Sequence, residues 1–276
     1  MQIGVLVGYH GEEWIDEIKK VHDLGFKQCQ LSAWEPSAWT DRLAAKLSAA
    51  LEKYDVTVST FWCGWGLPIA WNLESGPYVL GLVPPEFRDR RLKLLMEGAD
   101  FAKKIGVQNV ATHVGFIPEN AGDPVNYSLV ATLRTLADHL KKNDQYFMFE
   151  TGQETPTTLL RTILDIGTDN LGINYDPANL IMYGKANPVD ALLSIGKYIR
   201  DIHAKDGCYP TDPRKCGIEK PLGSGMVNYP VFIKRLKEIG YDGPITIERE
   251  IDGDQQIKDI LFAKDYLTDL WNNTTV

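Results

Sequence analysis

The chemistry this chain can offer is concentrated in four residues of its second half. Glu150 closes FMFE, Asp176 closes GINYD, His203 closes RDIH and Glu248 closes ITIE. Each polar group ends a short apolar run, the pattern of a strand buried on both faces of a parallel sheet. Strand ends of this kind converge at one mouth, so three carboxylates and one imidazole can meet at a point. That donor set fits one divalent metal ion: Mn²⁺ first, with Mg²⁺, Co²⁺ or Zn²⁺ as alternatives, since oxygen donors favour hard ions and zinc stands high in the Irving–Williams order. Taken singly, each residue reads more readily as a helix N-cap, a salt-bridge partner or a solvated loop residue, and Asp176-Pro177 has the form of a helix N-cap followed by a first-turn proline. The repetition on four successive strands favours the metal.

A metal at such a mouth suits proton transfer beside a carbonyl. Removing a proton from the carbon next to a carbonyl that has a hydroxyl beside it creates an enediolate, whose negative charge a divalent cation can stabilise. A carboxylate must reach the C–H, and inversion requires an acid on the opposite face. Glu150 and Glu248 are candidates for both roles besides binding the metal. His113, in VATHVGF, is a third catalytic candidate and equally a hydrogen-bond donor to a sugar oxygen, with His10 behind it. Lys205, in HAKD, either meets a substrate oxyanion or pairs with Asp206 or Glu248.

Five of the seven tryptophans, Trp34, Trp39, Trp62, Trp65 and Trp71, fall within one segment. Trp62 follows an apolar run directly, so its ring can wall a pocket and stack on the apolar face of a sugar. Trp65 and Trp71 serve that wall or an oligomer contact. The run Gly223-Ser224-Gly225 is either a phosphate cradle of backbone N–H groups or a tight turn.

The elements that must carry these groups alternate without interruption. Strands are expected at residues 2–7, 27–31, 56–61, 109–112, 146–149, 171–175, 198–202 and 244–247. Helices with apolar residues every three or four positions are expected at 12–24, 37–54, 85–105, 125–142, 157–166, 188–195, 229–239 and 255–270. Leu24-Gly25, Ile105-Gly106 and Ile239-Gly240 mark left-handed helix ends just before a strand. Eight such units point to an α/β fold, a closed (β/α)8 barrel in one domain spanning residues 1–276, with the doubly wound open sheet as the alternative. The longest irregular stretches, 62–84 and 208–228, follow the third and seventh strands, on the active-site face of such a barrel.

Composition bounds the partners. With 276 residues, 44% hydrophobic and 24% charged, the chain has the profile of a globular protein. Its 29 basic against 37 acidic residues give a net charge of −8, which disfavours nucleic acid as a partner. The four cysteines form no C-x-x-C pair, no apolar stretch approaches a membrane span, and MQIGVLVGYHGEEW lacks the basic start of a secretion signal. A cytoplasmic protein with no nucleic-acid or membrane partner, as a monomer or a homo-oligomer, is the expectation.

The segments FETGQETPTTLL, NYDPANLIMYGKANPVDAL and IRDIHAKDG, with the following PLGSGMVNYPVFIKRLKEIGYDGPITIERE, resemble the xylose-isomerase-like TIM-barrel sugar (phosphate) isomerase/epimerase superfamily. The resemblance covers nearly the whole chain. It implies one divalent metal held by Glu150, Asp176, His203 and Glu248, and, as in the 3-epimerase branch, proton exchange by the two glutamates across the substrate. In that branch a His follows the metal Asp by three residues, where this chain has Asn179. A Glu follows the first metal Glu by six, where this chain has Pro156, with Glu154 as the nearest substitute. An Arg follows the metal His by six, where Tyr209 stands, and Arg214 is the nearest arginine candidate in the loop after the seventh strand. Trp62, His113, Glu154, Asn179 and Lys205 are therefore the expected substrate contacts. The expected activity is a metal-dependent sugar or sugar-phosphate isomerase or epimerase; the alternative is a lyase or dehydratase of a keto-sugar, keto-glycoside or keto-cyclitol.

Overall fold

The computed structural model describes residues 1–8 and 13–275; His10 and the expected helix start at residue 12 lie outside the described residues. Strands β1 (Gln2–Gly8), β2 (Gln28–Ala33), β3 (Thr57–Cys63), β4 (Asn109–Thr112), β5 (Tyr146–Glu150), β6 (Leu171–Tyr175) and β7 (Ile199–Ala204) are parallel neighbours. After a short antiparallel pair of β8 (Asp206–Gly207) and β9 (Glu219–Lys220), β10 (Pro244–Ile247) completes the ring. Because β1 pairs with β2 on one side and β10 on the other, the sheet is a closed barrel and not a doubly wound open sheet. The helices wrap it in order: α1 (Trp14–Asp23), α2 (Asp41–Tyr54), α3 (Gly76–Val79), α4 (Pro85–Lys104), α5 (Pro124–Lys142), α6 (Pro156–Ile166), α7 (Pro177–Met182), α8 (Pro188–Ile195), α9 (Tyr229–Glu238) and α10 (Asp254–Asn273). No described helix is long and apolar enough to cross a membrane.

Local sequence sets the boundaries. Asp123-Pro124, Thr155-Pro156, Asp176-Pro177 and Asn187-Pro188 each start a helix with a side-chain oxygen accepting a backbone N–H and a proline in the first turn. Gly25, Gly106 and Gly240 take φ of 76°, 76° and 75°, the left-handed conformation expected of them. The helix expected from residue 37 is split, because Thr40 Oγ1 accepts Leu43 N at 3.2 Å and caps α2, leaving Pro36–Ala38 as a separate 3-10 turn. Inward stripes such as Leu129, Leu133, Leu136 and Leu140 of α5 are fully buried, each contributing about 1.5–3 kcal/mol.

The expected long loop after β3 is held down from outside the barrel. Arg91 of α4 is buried and donates to the carbonyls of Val79, Gly81 and Pro68 at 2.7, 2.6 and 2.8 Å. Charge-assisted bonds of this kind are strong, so the segment bearing Trp65 and Trp71 is anchored to the helix layer.

Inside the barrel the strands are less apolar than their sequences suggest. Residues two apart on a strand share a face, and the interior face carries Asp201 and His203 of β7, Gln28 and Gln30 of β2, Thr60 of β3, Asn174 of β6 and Thr246 of β10, all buried. Low in the barrel, Asp201 accepts from Thr60 Oγ1 at 2.9 Å and Thr246 Oγ1 at 3.1 Å. The next layer up supports the mouth.

Candidate metal centre

Glu150 is the last residue of β5, Asp176 follows β6, His203 lies inside β7 and Glu248 follows β10. One ligand atom from each lies within 4.8 Å of the others, and all four residues are buried. His203 Nδ1 stands 2.9 Å from Glu248 Oε2, 3.4 Å from Glu150 Oε1 and 4.0 Å from Asp176 Oδ2. Asp176 Oδ2, His203 Nδ1 and Glu248 Oε2 are buried without a hydrogen bond. Buried polar atoms are normally satisfied, so three unsatisfied donor atoms aimed at one point fit a cation there. Asp176 plays both roles weighed for it in the sequence. Its Oδ1 caps α7 by accepting Asn179 N at 2.8 Å, while Oδ2 faces the cluster.

The protonation of the cluster follows from burial and neighbours. Burial would raise the pKa of Glu150, but the charges of His113 and His203 outweigh it and hold the carboxylate well below its ordinary range. Burial pushes Asp176 up to about 8 against the pull of Lys205, so without an ion this carboxyl holds a proton at neutral pH. Burial disfavours the charged imidazole of His203, yet Glu248 and Glu150 lift its pKa well above the ordinary value.

Gln30 and Asn174, neither singled out by the sequence reading, fix the ligand orientations. His203 Nε2 lies 2.9 Å from Gln30 Oε1 and 3.0 Å from Asn174 Nδ2; with its proton on Nε2 toward Gln30, the ring would turn an Nδ1 lone pair to an ion in the cluster. Gln30 Nε2 donates to Asn174 Oδ1 at 3.0 Å, and Asn174 Nδ2 donates to Glu150 Oε2 at 3.2 Å. One chain of side chains thus joins two of the four candidate ligands. The signal available in sequence was spacing: Asn174 precedes Asp176 by two, the interval that returns a strand to the same face. Gln30→Leu removes the acceptor for His203 and should weaken divalent-ion affinity by about 10–100-fold. Calorimetric titration with Mn²⁺ checks this, and unchanged affinity would remove Gln30 from the role.

The remaining candidates divide around a cavity of about 500 Å³ above the cluster. Trp62, His113, Asn179 and Lys205 all line it. Trp62 Nε1 donates to Glu150 Oε2, His113 Nε2 approaches Glu150 Oε1 at 3.2 Å, and Asn179 Nδ2 approaches it at 3.4 Å. Trp34 and Trp71 continue the wall; their rings lie 5.0 Å from Trp62 and 5.3 Å from His113, respectively. Trp65 is buried in the cluster behind them, away from any surface. The Gly223-Ser224-Gly225 run is a turn closed on Asp206, whose carboxylate takes the amides of Gly223 and Gly225.

Glu154 is the exception among the expected contacts. It is buried near His113 and is not among the residues that line the cavity. Burial raises its pKa from the ordinary 4.5 to about 7, with His113 opposing. The folded state therefore binds this proton more tightly than the unfolded chain. Its stabilisation is complete below pH 4.5 and is lost as pH rises through 7, a change of up to about 3 kcal/mol. Glu154→Gln stays neutral, so the metal-free variant should gain on the wild type at pH 8 and match it near pH 4. Urea unfolding at the two pH values reads the difference; equal stabilities at pH 8 would refute it.

The chain is similar to several known proteins. A crystal structure of a xylose isomerase domain protein from Planctomyces limnophilus superposes with a TM-score of 0.89 at 33% identity, covering 98% of this chain and 96% of that one. An uncharacterised protein of Methanocaldococcus jannaschii is 30% identical over 203 residues, 67% of this chain, and the match spans 65% of that relative's length. The L-ribulose-5-phosphate 3-epimerase UlaE of Escherichia coli is 24% identical over 258 residues, 86% of this chain and 82% of its own. The family model described as a xylose isomerase-like TIM barrel matches residues 18–267, and with the closed barrel and its mouth already in view, the chain belongs to that family.

Proposed function

We propose that the chain is a divalent-metal-dependent sugar isomerase or epimerase that moves a proton on the carbon beside a carbonyl, through an enediolate. The observation that carries this reading is the convergence of Glu150, Asp176, His203 and Glu248, the last three each with an unsatisfied buried donor atom, beneath a tryptophan-walled cavity. The similarity to a 3-epimerase supports it. A bound divalent ion, Mn²⁺ by preference, would stabilise negative charge developing on the substrate oxygens.

The chain's own residues supply the rest. Glu150 is surrounded by donors from Trp62, Asn174, Asn179 and His113, which fix its carboxylate. Glu248 has Oε2 in the cluster, beside Lys205 Nζ at 3.4 Å, and belongs to the cavity wall. In this reading Glu248 takes the substrate proton and Glu150 faces it from the other side. His113, with Nδ1 buried and unpartnered, accepts a substrate hydroxyl or relays a proton. Trp62, Asn179 and Lys205 orient the sugar.

The test is a panel of ketoses and keto-glycosides in D₂O with added Mn²⁺, followed by NMR. Deuterium should enter next to the carbonyl while the skeleton keeps every oxygen. An unsaturated or dehydrated product would instead establish the lyase reading, which begins with the same proton abstraction.

A further inference from the structure

Several features of the mouth bear on the charge of its substrate. The first is the glycine run that the sequence offered as a phosphate cradle. Gly223 N and Gly225 N each donate to Asp206 Oδ2 at 3.0 Å, and Val227 N donates to Asp206 Oδ1 at 3.1 Å. A Cβ added to Gly225 would fall 2.2 Å from Asp206 Oδ1. A carboxylate of the chain already fills the place an anion would need, and it satisfies the same N–H groups.

The second feature is the pairing of the cations. Among the described residues, Lys205 and Arg249 are the lysine and arginine side chains that line the cavity, and its two histidines, His113 and His203, face Glu150 at 3.2 and 3.4 Å. Lys205 Nζ lies 2.8 Å from Glu250 Oε2 and 3.4 Å from Glu248 Oε2. Arg249 donates to Asp259 Oδ2 at 2.7 Å and stands 2.8 Å from Glu219 Oε2. Lys205 is therefore answered by three carboxylates, with Asp176 at 3.8 Å, and Arg249 by two. Even with a divalent ion in place, the three ligand carboxylates exceed its charge by one, and Glu250 balances Lys205. Counted with Asp176, Glu219 and Asp259 behind the wall, the groups at the mouth keep a net negative charge even with His113 as a cation, whereas phosphate recognition calls for cationic donors left over to meet a dianion. The third feature is the opposite wall, where Trp34, Trp62 and Trp71 present rings that suit uncharged C–H faces.

We infer that the pocket selects an uncharged carbohydrate, a free ketose or keto-glycoside, over the corresponding phosphate ester. The inference rests on reading the cavity as a sugar site and goes beyond it by fixing the substrate class. Charge balance is the cause, so the ion pair of Lys205 with Glu250 is a point at which it can be altered. Glu250 is 57% exposed in its side chain, and its replacement by glutamine leaves no buried charge uncovered on its own side.

The experiment uses matched probes on the Mn²⁺-loaded protein: D-fructose with D-fructose 6-phosphate, and D-ribulose with D-ribulose 5-phosphate. Binding is read from tryptophan fluorescence, and exchange from deuterium uptake in D₂O. The free sugars should bind at least tenfold more tightly than their esters, and Glu250→Gln should narrow that preference at least threefold. Esters that bind as tightly as the free sugars, binding of neither member of the pairs, or a preference untouched in Glu250→Gln would overturn the inference. Preferential binding of the free sugars without deuterium uptake would leave it standing and refute the proton-transfer reading instead.

Discussion

Glu248→Gln should lower turnover by about 10²–10⁴-fold, the range general-base catalysis supplies, because an amide cannot accept the substrate proton. The two glutamates should differ in what else they lose. Glu248 presents Oε2 to His203 Nδ1 and Lys205 Nζ at 2.9 and 3.4 Å, and the glutamine oxygen can take that place with its NH₂ turned to the cavity. The variant is therefore expected to keep much of its metal while losing turnover. Glu150 is different, since both its oxygens accept: Oε2 from Trp62 and Asn174, Oε1 facing His113 and Asn179. In Glu150→Gln, either orientation of the new amide sets its NH₂ against another donor, and an unsatisfied buried donor costs about 1–3 kcal/mol. Glu150→Gln should thus lose turnover together with metal affinity. Steady-state kinetics paired with bound-metal analysis separates the cases, and near wild-type turnover in either variant would remove that glutamate from the chemistry.

Why the sequence displayed the candidate ligands but not their supports is a matter of where each signal lies. Glu150, Asp176, His203 and Glu248 interrupt apolar runs, so their contrast with the preceding residues is strong. The closed barrel was equally legible, because eight strands alternate with helices whose ends carry Gly25, Gly106 and Gly240 in the left-handed conformation. Gln30 and Asn174 sit within strands and meet only because β2 and β6 face one another across the barrel, 144 residues apart in sequence. A local pattern carries no trace of such a pairing. Glu154 is the converse case: four residues after a candidate ligand it is near in sequence, yet it is buried and is not among the residues that line the cavity. The glycine run was ambiguous until Asp206 was seen to fill it, since a turn and an anion cradle use the same N–H groups.

Asp176→Ala and His203→Ala should each abolish stoichiometric binding of a divalent ion, whereas the wild type should bind about one per chain. Asp176 needs a second variant, because the alanine also removes the cap on α7, worth about 1 kcal/mol. Asp176→Asn retains an oxygen for Asn179 N and loses the ligand charge, so failure to bind in this variant belongs to the site and not to the helix. Full metal occupancy in Asp176→Asn and His203→Ala would overturn the ligand assignment. Stripping the wild type with a chelator should lower its melting temperature without unfolding it, since a ligand that binds only the folded state adds to its stability. The metal-free cluster has its own compensation. Lys205 lies 3.4 Å from Glu248 and 3.8 Å from Asp176, and burial keeps Asp176 protonated below about 8. With that proton in place, the repulsion among the three carboxylates falls where the ion is absent, and the apolar core outside the barrel is untouched. Lys205→Met removes the compensation, so the variant should depend more steeply on bound Mn²⁺ for its thermal stability than the wild type does. An equal metal-induced rise in melting temperature in both proteins would show that Lys205 does not stabilise the empty site.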